Sequence, residues 1–122
     1  MILGRINNSF EATLPLEIVG PNGARVSVDV VLDTGFTDFL TLPQALITRL
    51  GLQHMDTAEY QLADGSVVNM ESFFAVVQWH GAARDVLALA AGGDPLIGMA
   101  MVRTCRVTMD VVSNGAVKVE AL

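Results

Sequence analysis

The acid that ends an apolar strand is the residue of this sequence best placed to do chemistry. Residues 30–32 are Val, Val and Leu, and they lead into Asp33-Thr34-Gly35-Phe36-Thr37. A carboxylate held at the start of a tight turn can take or give a proton as a general acid or base. Asp also caps turns with its own side chain, which is a purely structural role. The motif alone leaves both interpretations of Asp33 open.

A second short segment could lie next to this turn. Leu96-Ile97-Gly98 follows Asp33 by about sixty residues, after a β-rich stretch. By itself the segment is not distinctive, because a buried strand that ends in a helix would have the same composition. Its significance depends on its place in the order of elements around Asp33.

Turn residues at regular intervals indicate a β-rich domain. Gly-rich, Asp-Gly and Asn-Gly turns separate runs rich in Val, Ile, Leu and Thr, a spacing typical of hairpins. Residues 10–19 and 25–32 are predicted to form a hairpin that ends directly at Asp33. Further strands are predicted at residues 58–62, 67–79, 84–90, 106–112 and 116–122.

Two short stretches have helical character. Leu46, Ile47 and Leu50 recur at helical spacing after Pro43, and Gly51 follows as a stop signal. This pattern predicts a helix of about two turns. Residues 100–104 form a second segment with helical potential.

Composition and charge restrict the function classes. The chain has 122 residues, 52% of them hydrophobic and only 16% charged, which suits a single globular domain with some apolar surface covered by a partner chain. The net charge is −6 and no basic cluster is present. Binding to nucleic acid or to an anionic membrane is therefore not expected, because both require Lys and Arg.

The single cysteine points to a reducing compartment. Cys105 has no second cysteine with which to form an intramolecular disulfide. The two His residues lie far from it in sequence and give no zinc-ligand spacing. The N-terminal residues do not resemble a signal peptide, and the most apolar stretch, residues 86–91, is too short to span a membrane. We expect a soluble, cytoplasmic protein.

The order of the elements resembles that of the retropepsin-like aspartic proteases, the family of retroviral proteases and their small bacterial and cellular relatives. That order is hairpin, Asp-Thr-Gly-x-Thr, short helix, flap-like hairpin, apolar-apolar-Gly, helix and final hairpin. The likeness is closest to the small bacterial members, particularly where residues 33–37 continue to residues 40–43. It implies one domain over residues 1–122, with a small, closed, β-barrel-like all-β fold and one or two short helices.

The resemblance also implies roles for the residues of the turn. Asp33 matches the catalytic Asp of the family. Thr34 matches the Thr whose hydroxyl braces the active-site loop of the partner subunit, and Gly35 matches the Gly whose backbone approaches the substrate. No metal or organic cofactor is implied.

Substrate-binding residues follow from the same resemblance. Thr37 and Asp38 come just after the catalytic turn, although Asp38 could equally be a solvated loop acid. Residues 63–66 fall where the family has its flap tip, so Ala63, Asp64 and Gly65 are expected near the substrate, with Asp64 serving mainly the turn. Ile97, in the segment that passes beneath the catalytic turn, is assigned to the same group.

The chemistry of this family requires two carboxyl groups. One takes a proton from water while the other protonates or holds the carbonyl oxygen, and the pair shares one proton. The chain has one Asp-Thr-Gly and is too short for a two-lobed version. A homodimer in which each copy gives one Asp33 would supply both acids and cleave a peptide or protein substrate. Its interface is expected to include Thr34 and the chain ends, whose short strands pair across the dimer in this family.

Several positions depart from the family pattern or allow two interpretations. Phe36 replaces a small residue, so its ring either narrows the cleft or packs in the core. Ala100 stands where many relatives have a polar residue, so a supporting contact could be missing. Tyr60 and Trp79 could line the substrate channel or pack in the core or at a hinge.

Two alternative functions are not enzymatic. The chain could keep the acid-protease scaffold as a catalytically inactive peptide-binding or dimerisation module, with Asp33 retained for its turn. It could also regulate another protein without recognising peptides.

Overall fold

The structure, a computed structural model, describes residues 1–122 as ten strands and one helix. In chain order the elements are β1 (Ile2–Ile6), β2 (Ala12–Val19), β3 (Arg25–Leu32), β4 (Leu40–Leu42), α1 (Gln44–Leu50), β5 (Gln53–Gln61), β6 (Val67–Trp79), β7 (Ala82–Ala90), β8 (Leu96–Ile97), β9 (Cys105–Met109) and β10 (Ala116–Ala121). The predicted all-β character is confirmed.

Six strands close into a ring. The sheet runs β6-β7-β4-β8-β3-β2, and β6 pairs back onto β2 at Ile18↔Val77 and Val19↔Val76. Closure removes the free edges of these six strands. The expected closed, barrel-like fold is therefore confirmed, as a ring-like sheet and not as a strict barrel. Strand β5 extends it on one side, and β1, β10 and β9 extend it on the other.

The alternation of side chains along β2 and β3 accounts for the core inside the ring. Leu14, Leu16 and Ile18 are buried on one face of β2, and Val30 is buried on β3. Successive residues of a strand point to opposite faces, so every second residue reaches the core. The hairpin predicted from this pattern is present, with Leu16 opposite Val28. Its second strand, β3, ends at Leu32, directly before Asp33.

The chain ends pair with each other inside the subunit. β1 lies antiparallel to β10 from Ile2↔Val119 to Arg5↔Ala116, and β10 pairs with β9 on its other side. The terminal strands therefore pair within one chain, and their expected pairing across a dimer stays a prediction. Strand β1 was not predicted.

Helix α1 confirms the first of the two helical predictions. Ile47 and Leu50 are its buried residues, and Gly51 ends it in the left-handed conformation at φ 66°, which glycine adopts without strain. With seven residues, α1 is too short to span a membrane, and no longer helix is present.

The second helical prediction, at residues 100–104, is wrong. The segment forms isolated turns, closed by bonds from the Met101 N–H to the Gly98 carbonyl and from the Cys105 N–H to the Val102 carbonyl. The Arg84 guanidinium donates a hydrogen bond to the Met101 carbonyl oxygen at 2.8 Å, and Thr104 has φ 62°. A residue with positive φ cannot continue a right-handed helix.

Loss of the Ile18 side chain should weaken the closure of the ring. Ile18 is fully buried and pairs with Val26 on β3 and Val77 on β6. We expect Ile18→Ala to lower the free energy of unfolding by about 2–5 kcal/mol, measured by denaturant titration. Leu87→Ala is the control, because Leu87 is exposed and surface truncations usually cost less than about 0.5 kcal/mol. Equal losses for the two variants would contradict this account of the core.

Candidate active site

Asp33 begins a tight turn at the end of β3. Its Oδ1 accepts a hydrogen bond from the Gly35 N–H at 2.9 Å, and its backbone carbonyl accepts one from the Phe36 N–H at 3.1 Å. The carboxylate is half-buried. The side chain therefore caps its own turn with one oxygen, and no protein group binds the other, so the structural and the chemical interpretations of Asp33 are compatible.

The backbone of β8 fixes the position of this turn. The Val31 N–H donates to the Pro95 carbonyl and the Asp33 N–H to the Ile97 carbonyl, both at 2.9 Å. Strand β8 lies parallel to β3 and antiparallel to β4. Ile97 itself is fully buried. The backbone of Ile97 thus supports the turn, and its assignment to the substrate-binding residues stays a prediction.

Gly98 allows two backbone segments to cross beneath the turn. Its N–H donates to the Phe39 carbonyl at 3.1 Å, and the next N–H, of Met99, donates to the Phe36 carbonyl at 2.8 Å. A Cβ at Gly98 would lie 2.2 Å from the Asp38 carbonyl oxygen and 2.6 Å from that of Phe36. Because no side chain fits in this space, glycine is required here.

The ring of Phe36 packs against the same crossing. Its Cδ2 atom would be 2.7 Å from a Cβ at Gly98. Phe36 is half-buried and lies outside the hydrophobic core, so the expected narrowing of the cleft by its ring stays a prediction.

Arg84 supports the turn segment found in place of the predicted second helix, a role that the sequence did not predict. Its guanidinium donates to the carbonyls of Met101 at 2.8 Å and Ala100 at 3.4 Å, and its Cζ lies 5.3 Å from the centroid of the Phe39 ring. The backbone of Ala100 thus has a supporting contact of its own. The signal was an arginine within an otherwise largely apolar strand, β7.

Asp38 contacts the flap-like hairpin through Tyr60. The Tyr60 hydroxyl on β5 donates to Asp38 Oδ2 at 3.4 Å. Both residues line a pocket of about 400 Å³, whose other lining residues are Met55, Asp56, Ala58, Ser72, Leu87 and Leu89. Burial first, and then the charge and hydrogen bond of Asp38, raise the pKa of Tyr60 above its ordinary value of 10.0. Tyr60 therefore lines a groove, whereas Trp79 is buried in the core.

The predicted flap tip is a tight turn between β5 and β6. The Asp64 carboxylate accepts bonds from the Ser66 hydroxyl at 2.6 Å and the Ser66 N–H at 2.9 Å, and these bonds lower the pKa of Asp64. Gly65 has φ 87°. Asp64 is thus engaged in its own turn. Ala63 and Gly65 remain exposed beside it.

The arms of this hairpin are joined near its base by an exposed polar cluster. His54 on β5 pairs with Glu71 on β6, and the Thr57 hydroxyl donates to the same carboxylate at 2.8 Å. Thr57 first, and then His54, lower the pKa of Glu71. The register shifts between His54 and Asp56, and such a bulge bends a strand. His54, to which the sequence assigned no partner, therefore belongs to the flap.

A groove lined mostly by apolar residues flanks Asp33. Asp33 and Thr34 lie in it with Phe10, Leu32 and Met109. Thr34 and Thr37 are exposed. Glu11 also lines the groove, but its carboxylate accepts a bond from the Asn7 amide at 3.0 Å.

Three solved structures resemble the chain over most of its length. A retropepsin-like aspartic protease from Rickettsia conorii matches 98% of this chain and 90% of its own, with a TM-score of 0.59 and 13% sequence identity. The EIAV protease complexed with the inhibitor HBY-793 matches 76% and 86%, with a TM-score of 0.57 and 21% identity. The Simian foamy virus (mac) protease matches 72% and 90%, with a TM-score of 0.51 and 17% identity. No protein-family model and no curated protein matches the chain.

The chain has the retropepsin-like fold. The resemblance inferred from the order of its elements is thereby confirmed at the level of the fold, which is what a likeness at these identities establishes. Within the retropepsin-like domain, Asp33, Thr34 and Gly35 share one turn, and Asp38 connects that turn to the flap hairpin.

Ionisation of Tyr60 should report its contact with Asp38. Tyr60 is the only tyrosine, so its absorbance can be titrated directly. We expect a midpoint above 10 in the folded protein and a lower one in Asp38→Asn, with part of the shift kept because burial remains. The pKa is raised, so the stability that Tyr60 contributes is complete below pH 10 and is lost as pH rises through its folded pKa.

Asp56→Asn is the matched control for this titration. Asp56 lines the same pocket but does not contribute to the shift of Tyr60. An equal midpoint in the wild type and Asp38→Asn would contradict the contact.

Proposed function

We propose that the protein is an aspartic endopeptidase that acts as a homodimer. The observation that carries the proposal is the Asp33 turn: a carboxylate at the end of β3, supported from below by backbone bonds to β8, in a fold shared with proteases. Each subunit contributes one Asp33, and Thr34 braces the turn of the other subunit. Asp33, Thr34 and Gly35 form the catalytic motif.

The two Asp33 carboxyls divide the work of hydrolysis. The ionised carboxylate takes a proton from the attacking water, and the protonated one donates to the carbonyl oxygen of the peptide bond. Two such groups close together share one proton, because both cannot ionise at once. Activity therefore falls as pH rises and the shared proton is lost.

The peptide lies between the catalytic turn and the flap hairpin. Thr37 and Asp38 contact it from one side, and the flap tip, Ala63-Asp64-Gly65, covers it from the other. The pocket beside Tyr60 combines apolar walls with two acids, Asp38 and Asp56, which suits a side chain with an apolar stem and a positive end. The free, half-buried Cys105 is compatible with work in the reducing cytoplasm.

A second candidate is a peptide-binding or dimerisation module without catalysis. The bond from the Gly35 N–H to Asp33 Oδ1 favours it, because that bond gives Asp33 a reason to be present even without chemistry.

Replacement of Asp33 by its amide separates these candidates. Wild type should cleave a mixed peptide library at mildly acidic pH and be blocked by a pepstatin-type inhibitor, whereas Asp33→Asn should not cleave, because an amide cannot share the proton. The product is followed by mass spectrometry at several pH values. A dimer that binds peptides but cleaves none, in the wild type and the variant alike, would favour the binding module.

Mixing the two proteins tests whether each active site takes one Asp33 from each chain. If subunits exchange freely, an equal amount of Asp33→Asn leaves about half of the wild-type chains paired with each other, so activity falls to about half. Glu11→Gln is the control, because Glu11 is the other acid in the groove of Asp33 and should not be needed. If adding the Asp33→Asn protein leaves the wild-type activity unchanged, and Glu11→Gln by itself abolishes activity, the pair of acids is Asp33 and Glu11 of one subunit.

A further inference from the structure

We propose that the second copy docks on β9, by antiparallel pairing of β9 with β9 of the partner across a two-fold axis near Val107. The proposal rests on the proposed function, which needs a second Asp33, and specifies the surface that brings it there. It differs from a dimer made by the chain ends.

The first argument is which strands are free. β1 and β10 pair with each other, and β10 also pairs with β9. β9 has β10 as its single neighbour. It and β5 are the two outer strands of the sheet, and β9 is the one that borders the groove of Asp33. An unprotected edge strand is a template for pairing with another chain. The chain ends are committed inside the subunit, and β9 is not.

The second argument is the direction of the backbone groups of β9. The Asp110 N–H donates to the Ala116 carbonyl, and the Leu122 N–H donates to the Thr104 carbonyl. Hydrogen-bonded pairs alternate along an antiparallel ladder, so Arg106 and Thr108 also face β10. The N–H and carbonyl groups of Val107 and Met109 therefore point outward from the sheet.

Because outward N–H and carbonyl groups recur at every second residue, β9 can pair with β9 of the partner subunit. With the axis at Val107, this residue and Val107 of the partner subunit bond each other reciprocally. Each Met109 N–H reaches the carbonyl of Cys105 of the partner subunit. The Cys105 N–H is already bonded to the Val102 carbonyl, so no outward donor of β9 lacks an acceptor. A two-fold interface must be self-complementary in this way.

The third argument is the apolar surface that continues from β9 to Asp33. Val107 and Met109 lie with Leu32, Met99 and Thr34 around one groove, and Met109 also borders the groove that contains Asp33. Met99 and Met109 are 46% and 38% exposed. No charged side chain lines the first groove. Apolar surface beside a site that needs a second copy is best covered by that copy, since its burial also stabilises the complete site.

Two matched charge substitutions test whether the dimer interface is formed by β9 or by the chain ends. Met109→Glu places a carboxylate in the proposed interface, and Leu3→Glu places one on the exposed face of β1. Each change occurs twice in a two-fold dimer, and burying an unpaired charge is costly. By sedimentation equilibrium we expect Met109→Glu to raise the dimer dissociation constant at least about 100-fold, and Leu3→Glu to leave it within about threefold.

Val107→Pro tests the backbone pairing itself. Proline removes the outward N–H of Val107 and leaves the bonds of Arg106 and Thr108 to β10, which is where an edge strand tolerates it. We expect a folded monomer, with folding checked by circular dichroism. If this variant fails to fold, the charge pair decides alone.

Either of two results overturns the proposal: a dimer that Met109→Glu does not weaken, or a wild type that is monomeric at every concentration. The test is independent of catalysis, because it can be run with Asp33→Asn. A β9-dependent dimer without cleavage would keep the interface and reject the protease. Cleavage that depends on Asp33, together with a dimer that Met109→Glu does not weaken, would keep the protease and reject the interface.

Discussion

Two backbone segments cross beneath Asp33 at a point where no side chain fits. Gly98 donates to the Phe39 carbonyl while the carbonyls of Phe36 and Asp38 occupy the space that a Cβ would need. The adjacent Ile97 carbonyl holds the Asp33 N–H. Because these bonds lie in the backbone and are screened from water by the core, the position of the carboxylate does not depend on flexible side chains. The geometry of the candidate site follows from this crossing.

Side chains provide the remaining supports of the site. Residues 99–104 form turns and not a helix, so their carbonyls need other partners, and Arg84 supplies them from β7 while its guanidinium lies over Phe39. An arginine is suited to this position, because its planar group can donate to two carbonyls and stack on an aromatic ring. The hairpin of β5 and β6 meets the segment after the Asp33 turn through one long bond, between Tyr60 and Asp38.

In the proposed mechanism each chain supplies one Asp33, so the active site requires a two-fold arrangement of two chains. The subunit completes its own terminal sheet, since β1 and β10 pair inside it, yet it leaves β9 and a neighbouring apolar surface without a partner. These features adjoin Asp33. A two-fold arrangement would cover the open edge and assemble the pair of acids in a single step.

The sequence by itself determined the features that depend on local pattern: the β2–β3 hairpin, helix α1, the flap turn at Asp64-Gly65 and the placement of Asp33 at the end of a buried strand. Alternating burial, a helix stop and turn chemistry act over a few residues and can be read directly. The tertiary structure decided the rest. Residues 100–104 form turns with two carbonyls bonded to Arg84, strand β8 lies between β3 and β4 next to the Asp33 turn, and β1 pairs with β10 from the opposite end of the chain. These outcomes depend on contacts between residues distant in sequence, whose free energies exceed the small local preferences that a sequence pattern reports.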